Sequence, residues 1–172
     1  KNWNRFKNSS FDTWVRIGIK RMTETQIGKL VDTQKIIDLT IAYTWIIDRG
    51  PRENLNKIFT DDAVFIIDVR HLNGLDEILG KIERTLGGLS ASQHLISNHQ
   101  VLIDGDNATC SCYLHAQHTL RGTEGGDNYV MAGRYVDKLI RVGAEWRIVE
   151  RELVLDWVEG NPKVLARKKE VS

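Results

Sequence analysis

The chain has 172 residues, 24 basic and 23 acidic side chains for a net charge of +1, and 41% hydrophobic residues. That balance describes one folded domain of ordinary size; it excludes a disordered charged tail, a Pro/Gly-rich repeat and whole-domain capture of nucleic acid by charge. No apolar run approaches the roughly 20 residues that a membrane-spanning helix needs.

In chain order, residues 1–21 come first, with six basic side chains against one acid, Asp12. Met22-Thr-Glu-Thr reads as a natural start, so residues 1–21 are expected to be a leader or a poorly ordered extension, and 22–160 a single domain. From Asp32, taken as a helix cap, apolar residues recur at three- and four-residue steps through Ile36, Ile37, Ile41, Tyr43 and Ile47 until Gly50-Pro51 ends the helix. A second short helix is expected over about Arg52 to Ile58. Thr60-Asp61-Asp62 is expected to turn into a strand, Ala63 to Asp68, followed by a loop over His71 to Gly74. Leu75 to Leu86 carries Leu75, Ile78, Leu79, Ile82 and Leu86 on one stripe, which predicts a third helix.

Four long strands follow: Gln93 to Ile103, Ala108 to Leu120, Asn128 to Arg141 and Glu145 to Glu159, separated by Asp104-Gly105-Asp106-Asn107, a Gly-rich loop over Arg121 to Asp127, and Val142-Gly143-Ala144. Residues 161–172 form a charged C-terminal tail. Helices first and consecutive strands after predict an α+β fold, a curved antiparallel sheet with its helices on one face.

Cys110 and Cys112, two apart on a strand, share a face but diverge too far to bridge comfortably. They are expected to be free core thiols in a reducing, cytoplasmic compartment, and two cysteines alone make no zinc site. The histidines show no metal-ligand spacing: His94, Ile96 and Asn98 should share one strand face with His99 on the other, and His115 and His118 should also point apart. No metal is therefore expected.

Asp48 ends the first helix beside Trp45-Ile46-Ile47, where desolvation would raise a carboxylate towards the range of a general base; the same segment is also a plain helix-end turn. Arg151 is expected on the face of Val149, Leu153 and Leu155, where a guanidinium requires an anionic partner such as Asp137. The face carrying Trp146, Ile148 and Val158 interleaves with Glu150, Glu152 and Asp156, which suits a sheet packed against a partner, so self-association is expected.

Several segments together resemble a SnoaL-like domain of the nuclear-transport-factor-2-like superfamily. They are Phe59-Thr60-Asp61-Asp62-Ala63 before the first strand, the Gly74-Leu75 helix start, Ser92-Gln93-His94-Leu95-Ile96-Ser97-Asn98, and Trp146-Arg147-Ile148 in the last strand. The resemblance spans about Ile27 to Trp157. It implies a cone-shaped α+β barrel with a strongly curved sheet wrapped around the N-terminal helices, and a dimer or trimer. It also implies a catalytic set of Asp48, His94, Tyr43 and Arg151, each filled here by the expected residue type. Trp45, Phe65, Asn98, His115, His118, Met131 and Tyr135 would line the substrate site.

The activity implied is a cofactor-independent lyase acting by β-elimination, dehydratase-like, on a small apolar ring compound. His94, oriented by Asp48, would be the base, with Tyr43 and Arg151 stabilising an oxyanion; the two should then lie roughly 2.6–3.2 Å apart. A second family histidine corresponds to His115 or His118, a choice that depends on strand register. A polyketide cyclase, a ketosteroid-isomerase-like enzyme and a non-catalytic ligand-binding or scaffold subunit share the fold. The full four-residue set counts against the scaffold.

Overall fold

The computed structural model describes residues 21–166. The expected leader (1–21, all but Arg21) and the last part of the charged tail (167–172) lie outside the described residues. Helix α1 (Glu24–Arg49) begins eight residues before Asp32, at a Thr23 capping box: Thr23 Oγ1 accepts from the Gln26 amide, and Gln26 Oε1 accepts from the Thr23 amide. Asp32 is therefore not a cap. It lies within the helix and takes two hydrogen bonds from Arg141 and one from Trp146 Nε1, tying α1 to the far end of the sheet.

A 3-10 turn (Arg52–Lys57) leads to β1 (Phe59–Ile67) and β2 (Arg70–Asn73), a hairpin where a turn and a loop were expected on either side of a shorter strand. Helix α2 (Leu75–Leu86) has the predicted bounds and buries Ile78, Ile82 and Leu86. Strands β3 (Ala91–Asp104), β4 (Asn107–Thr119), β5 (Asn128–Val142) and β6 (Glu145–Gly160) follow as hairpins. A last 3-10 turn (Pro162–Val164) buries Val164, so the start of the expected tail packs on the domain.

The sheet is mixed, in the order β2-β1-β6-β5-β4-β3. Four pairings are antiparallel, as expected for strands joined by hairpins, but β1 and β6 pair in parallel. These two are distant in sequence, so no hairpin forces their relative direction. The helices cover one face of this curved, unclosed sheet, and the core between them holds Ile36, Leu55, Phe59, Ile78, Cys110, Leu139, Trp146 and Ile148. Cys110 and Cys112 are free, buried thiols, which burial pushes up to about 12 and about 11 respectively. Among the described residues no helix is long and apolar enough to cross a membrane.

Three one-residue bulges shape the sheet. Between Ser97 and Gln100 the pairing with β4 slips, with Asn98 at φ 56°. Beyond that point the inward positions change from Ser92, His94 and Ile96 to His99, Val101 and Ile103. His99 therefore points inward, against expectation, and its Nε2 lies 3.0 Å from Thr40 Oγ1 of α1.

In β6 the register moves from Glu150 opposite Lys138 to Ile148 opposite Leu139, leaving Val149 as the extra residue. This bulge puts Trp146, Ile148 and Arg151 all inside. The expected outward placement of Trp146 and Ile148 is thus corrected, while Val158 is exposed. At the third bulge Gly133 pairs with Leu155, and a Cβ at Gly133 would stand 2.1 Å from the Val154 carbonyl oxygen. Only glycine lets β6 come this close, and the bend there carries Met131 and Tyr135 around one cavity.

Candidate active site

The cavity, about 170 Å³, lies between α1, α2 and the inner sheet face. That volume is of the order that holds one benzene-sized ring. Its walls are largely apolar, from Ile47, Phe65, Ile82, Leu114, Ala116 and Met131, with Tyr43, Tyr135, His94 and His118 converging as polar groups.

Asp48 reaches the site from the last turn of α1, where the partial negative charge of the helix end opposes a carboxylate. Three donors offset that cost. The His94 amide donates to Oδ2 at 2.7 Å, and His94 Nδ1 and Ser92 Oγ both meet Oδ1 at 2.7 Å. Ser92 and His94 are alternate residues of β3 and so present the same face to the helix. The side chains of His94 and Asp48 are only 6% and 10% exposed. Burial pushes the Asp48 carboxyl up, but the hydrogen bond and charge of His94 and the Ser92 hydroxyl outweigh it and hold the group below its ordinary value. This corrects the expectation of a carboxyl raised by desolvation: Asp48 is an ionised anchor. With Nδ1–H on Asp48, the His94 ring keeps Nε2 as its basic nitrogen.

His118 faces the same cavity from β4, its ring edge-on to His94 at 5.4 Å between centroids. Burial and the nearby charge of His94 push it down to about 4, against a hydrogen bond to the Tyr129 backbone, so it is neutral at pH 7. Its buried Nδ1 has no hydrogen-bond partner among the described residues.

Tyr43 and Tyr135 meet edge to face at 5.7 Å, and burial raises both phenols. Between them, inside the wall, lies Arg151. Its guanidinium carbon stands 4.2 Å from each tyrosine ring centroid, and Nε and Nη2 donate to the two oxygens of Asp137 at 2.7 Å. Arg151 and Asp137 are both 0% exposed, and neither lines the cavity. Asp137 is the partner that the sequence suggested, and Arg151 sits behind the tyrosines, stacked against both rings.

Of the other expected lining residues, Phe65, His118, Met131 and Tyr135 do line the cavity. Three do not. Trp45 is 67% exposed, because two residues from Tyr43 on a helix points to nearly the opposite side. Asn98 is the exposed bulge residue. His115 lies exposed on the outer sheet face, its ring 6.0 Å from that of Trp157. Strand register thus brings His118 inside and leaves His115 outside. The α2 contributors Lys81, Ile82, Thr85 and Leu86 and the C-terminal Leu165 were not foreseen as lining, although the α2 apolar stripe had marked Ile82 and Leu86 as inward.

Comparison with known proteins identifies the family and the fold. The SnoaL-like domain family model matches residues 28–152, so the chain belongs to that family. An uncharacterised protein of Mycobacterium tuberculosis is 28% identical over 130 residues, covering 73% of this chain and 86% of its own length. Among solved structures, the Kfla4162 protein of Kribbella flavida superposes with a TM-score of 0.71 at 24% identity over 81% of this chain and 99% of its own. A candidate scytalone dehydratase of Novosphingobium aromaticivorans gives 0.68 at 20% identity, covering 82% and 97%. The hexachlorocyclohexane dehydrochlorinase LinA-type3 of Novosphingobium barchaimii gives 0.69 at 16%, covering 79% and 94%. At these identities the solved structures share the fold.

Proposed function

We propose that this protein is a cofactor-independent lyase that forms a carbon–carbon double bond by β-elimination from a small ring compound, with His94 as the base. The observation that carries the reading is the 2.7 Å contact of His94 Nδ1 with a buried, ionised Asp48 at the edge of an apolar cavity. His94 Nε2 takes the proton from the carbon next to a carbonyl. The C–H electron pair becomes the double bond as a hydroxyl leaves the adjacent carbon. The proton on His94 then passes to that departing oxygen, so the products are the alkene and water.

Asp48 balances the transient imidazolium, as a buried carboxylate does for a catalytic histidine. Tyr43 and Tyr135, which line the cavity, would donate hydrogen bonds to the developing enolate oxygen. His118, neutral beside the cavity, packs edge-on against the His94 ring and helps hold it in place. The fold neighbours named for scytalone dehydration and for dehydrochlorination support elimination as the reaction type.

The test is a panel of cyclic β-hydroxy ketones, scytalone included, followed by ultraviolet absorbance of the conjugated product and by loss of the α-proton signal in heavy water. Turnover by the unaltered protein that disappears in His94→Ala supports the proposal. Absence of both elimination and α-proton exchange across the panel refutes it.

A further inference from the structure

At its α2 end the cavity adjoins a second hollow. Lys81, Thr85 and Leu165 line both the cavity and this outer chamber of about 430 Å³, whose remaining walls are Arg70, Leu72 and Arg84. The two spaces differ in kind: the inner one is apolar and ring-sized, while the outer one is larger and edged by cations from two directions. Arg70 opens β2, and Arg84 lies on the last turn of α2, one helical turn beyond Lys81.

Both arginines are exposed, and among the described residues neither pairs with a carboxylate within 4.0 Å. Arg52, on the same side of α2, is by contrast paired with Glu83. Asp68 lines a neighbouring hollow with Arg70 and Lys81. A cation at a helix C-terminus is favourable in itself, which accounts for Arg84 alone. It does not account for Arg70, which comes from a different element and borders the same chamber.

We propose that the outer chamber receives an anionic arm, a carboxylate or phosphate, of a substrate whose ring fills the inner cavity. The inference rests on the inner cavity being the substrate site. It adds a selection rule: ring in the dry pocket, negative charge at the mouth, joined by a short linker past Thr85 and Leu165. Guanidinium groups suit both carboxylate and phosphate because their paired donors match two acceptor oxygens at once.

Calorimetric titration of the full chain with ω-phenylalkanoates of three to six carbons, and with the matching uncharged ω-phenylalkanols, tests the charge selection without requiring turnover. At low salt, the best acid should bind about five- to tenfold more tightly than its alcohol, the range two partly exposed ion pairs supply. Phenylalkyl phosphates distinguish which anion is preferred. Arg70→Gln with Arg84→Gln should erase the preference and leave alcohol binding unchanged, and salt near 0.5 M should shrink it in the unaltered protein. Equal binding of acid and alcohol overturns the inference, as does equal weakening of both by the two substitutions, or failure of every probe to bind. An acid preference that persists in His94→Ala, alongside absence of elimination in the unaltered protein, refutes the lyase reading while leaving the anion site in place.

Discussion

Asp48 holds both the main chain and the ring of His94: one carboxylate oxygen takes the backbone N–H and the other meets Nδ1, each at 2.7 Å. The first bond fixes where β3 passes the end of α1, and the second fixes the ring and its tautomer. A carboxylate at a helix C-terminus is placed against the helix dipole, and burial opposes it further. The local structure has no need of an acid there, since Gly50 already closes the helix through its own amide to Trp45 and Ile46. The three hydrogen bonds it receives make this unfavourable placement tolerable.

Replacing His94 by Ala should lower the rate of elimination by about 10²–10⁴-fold, the usual contribution of a positioned base. Asp48→Asn should cause a loss of similar order, because an amide cannot balance the imidazolium. The double variant should be little worse than either single one, since residues acting as a unit fail together. Asp48→Asn should also unfold more readily by about 1–3 kcal/mol, having weakened the bonds that satisfy Ser92 and the His94 amide. Steady-state kinetics and urea denaturation of the three variants check this, and additive rate losses would count against the dyad.

Arg151 leads to a different expectation. Removing one partner of a fully buried, doubly hydrogen-bonded pair strands the other charge, so Arg151→Met should destabilise the protein by about 3–5 kcal/mol. Combining it with Asp137→Leu should recover part of that loss, because both charges are then gone. If Arg151 acts by bracing Tyr43 and Tyr135, the recovered double variant should keep measurable elimination activity. A double variant that is stable but wholly inactive would instead place the guanidinium in direct contact with substrate.

The sequence disclosed periodic features well and single-residue irregularities poorly. Helix α2 could be read to its ends because five apolar residues repeat on one stripe and glycine stands on either side. The alternation of Cys110, Cys112, Leu114, Ala116 and His118 correctly set the inner face of β4, which has no bulge. In β3 and β6 the same counting failed after Asn98 and Val149. One added residue reverses the face of everything beyond it, and neither residue type announces a bulge. This error sent His99 outward and Trp146 and Ile148 to the surface. The apolar surroundings of Asp48 fitted a general base and a plain helix-end turn alike, and it was the family resemblance that paired it with His94. Nothing in the local pattern reveals that residues 46 positions apart meet.

On the outer face of the sheet, Leu95, Tyr113 and Trp157 are all exposed. His115 joins Leu95 across β3 and β4 and packs near Trp157, so they form one patch and not scattered residues. Contiguous apolar surface of this kind favours association. Sedimentation velocity at micromolar concentration should therefore show a dimer or trimer, and Trp157→Glu should shift it towards monomer without altering thermal stability of the fold. A monomeric unaltered protein would refute self-association.

His118 makes the protein's stability depend on pH in a predictable direction. In the folded state its ring stays neutral down to about 4, whereas in the unfolded chain it protonates near the ordinary value of about 6.5. Between these values the unfolded state binds more protons, so acidification favours unfolding. The stabilising contribution is fully present above about pH 6.5 and is lost progressively as pH falls towards 4. The whole interval corresponds to roughly 2–4 kcal/mol. His99, also lowered by burial, acts in the same sense, and so does the depressed Asp48 at lower pH, so the slope of the unaltered protein alone cannot be assigned. The difference between it and His118→Gln can. Urea denaturation at pH 7.5 and pH 4.5 should show the unaltered protein losing more stability on acidification than His118→Gln does. Identical losses would mean that His118 protonates in place, with its unpartnered Nδ1 open to water.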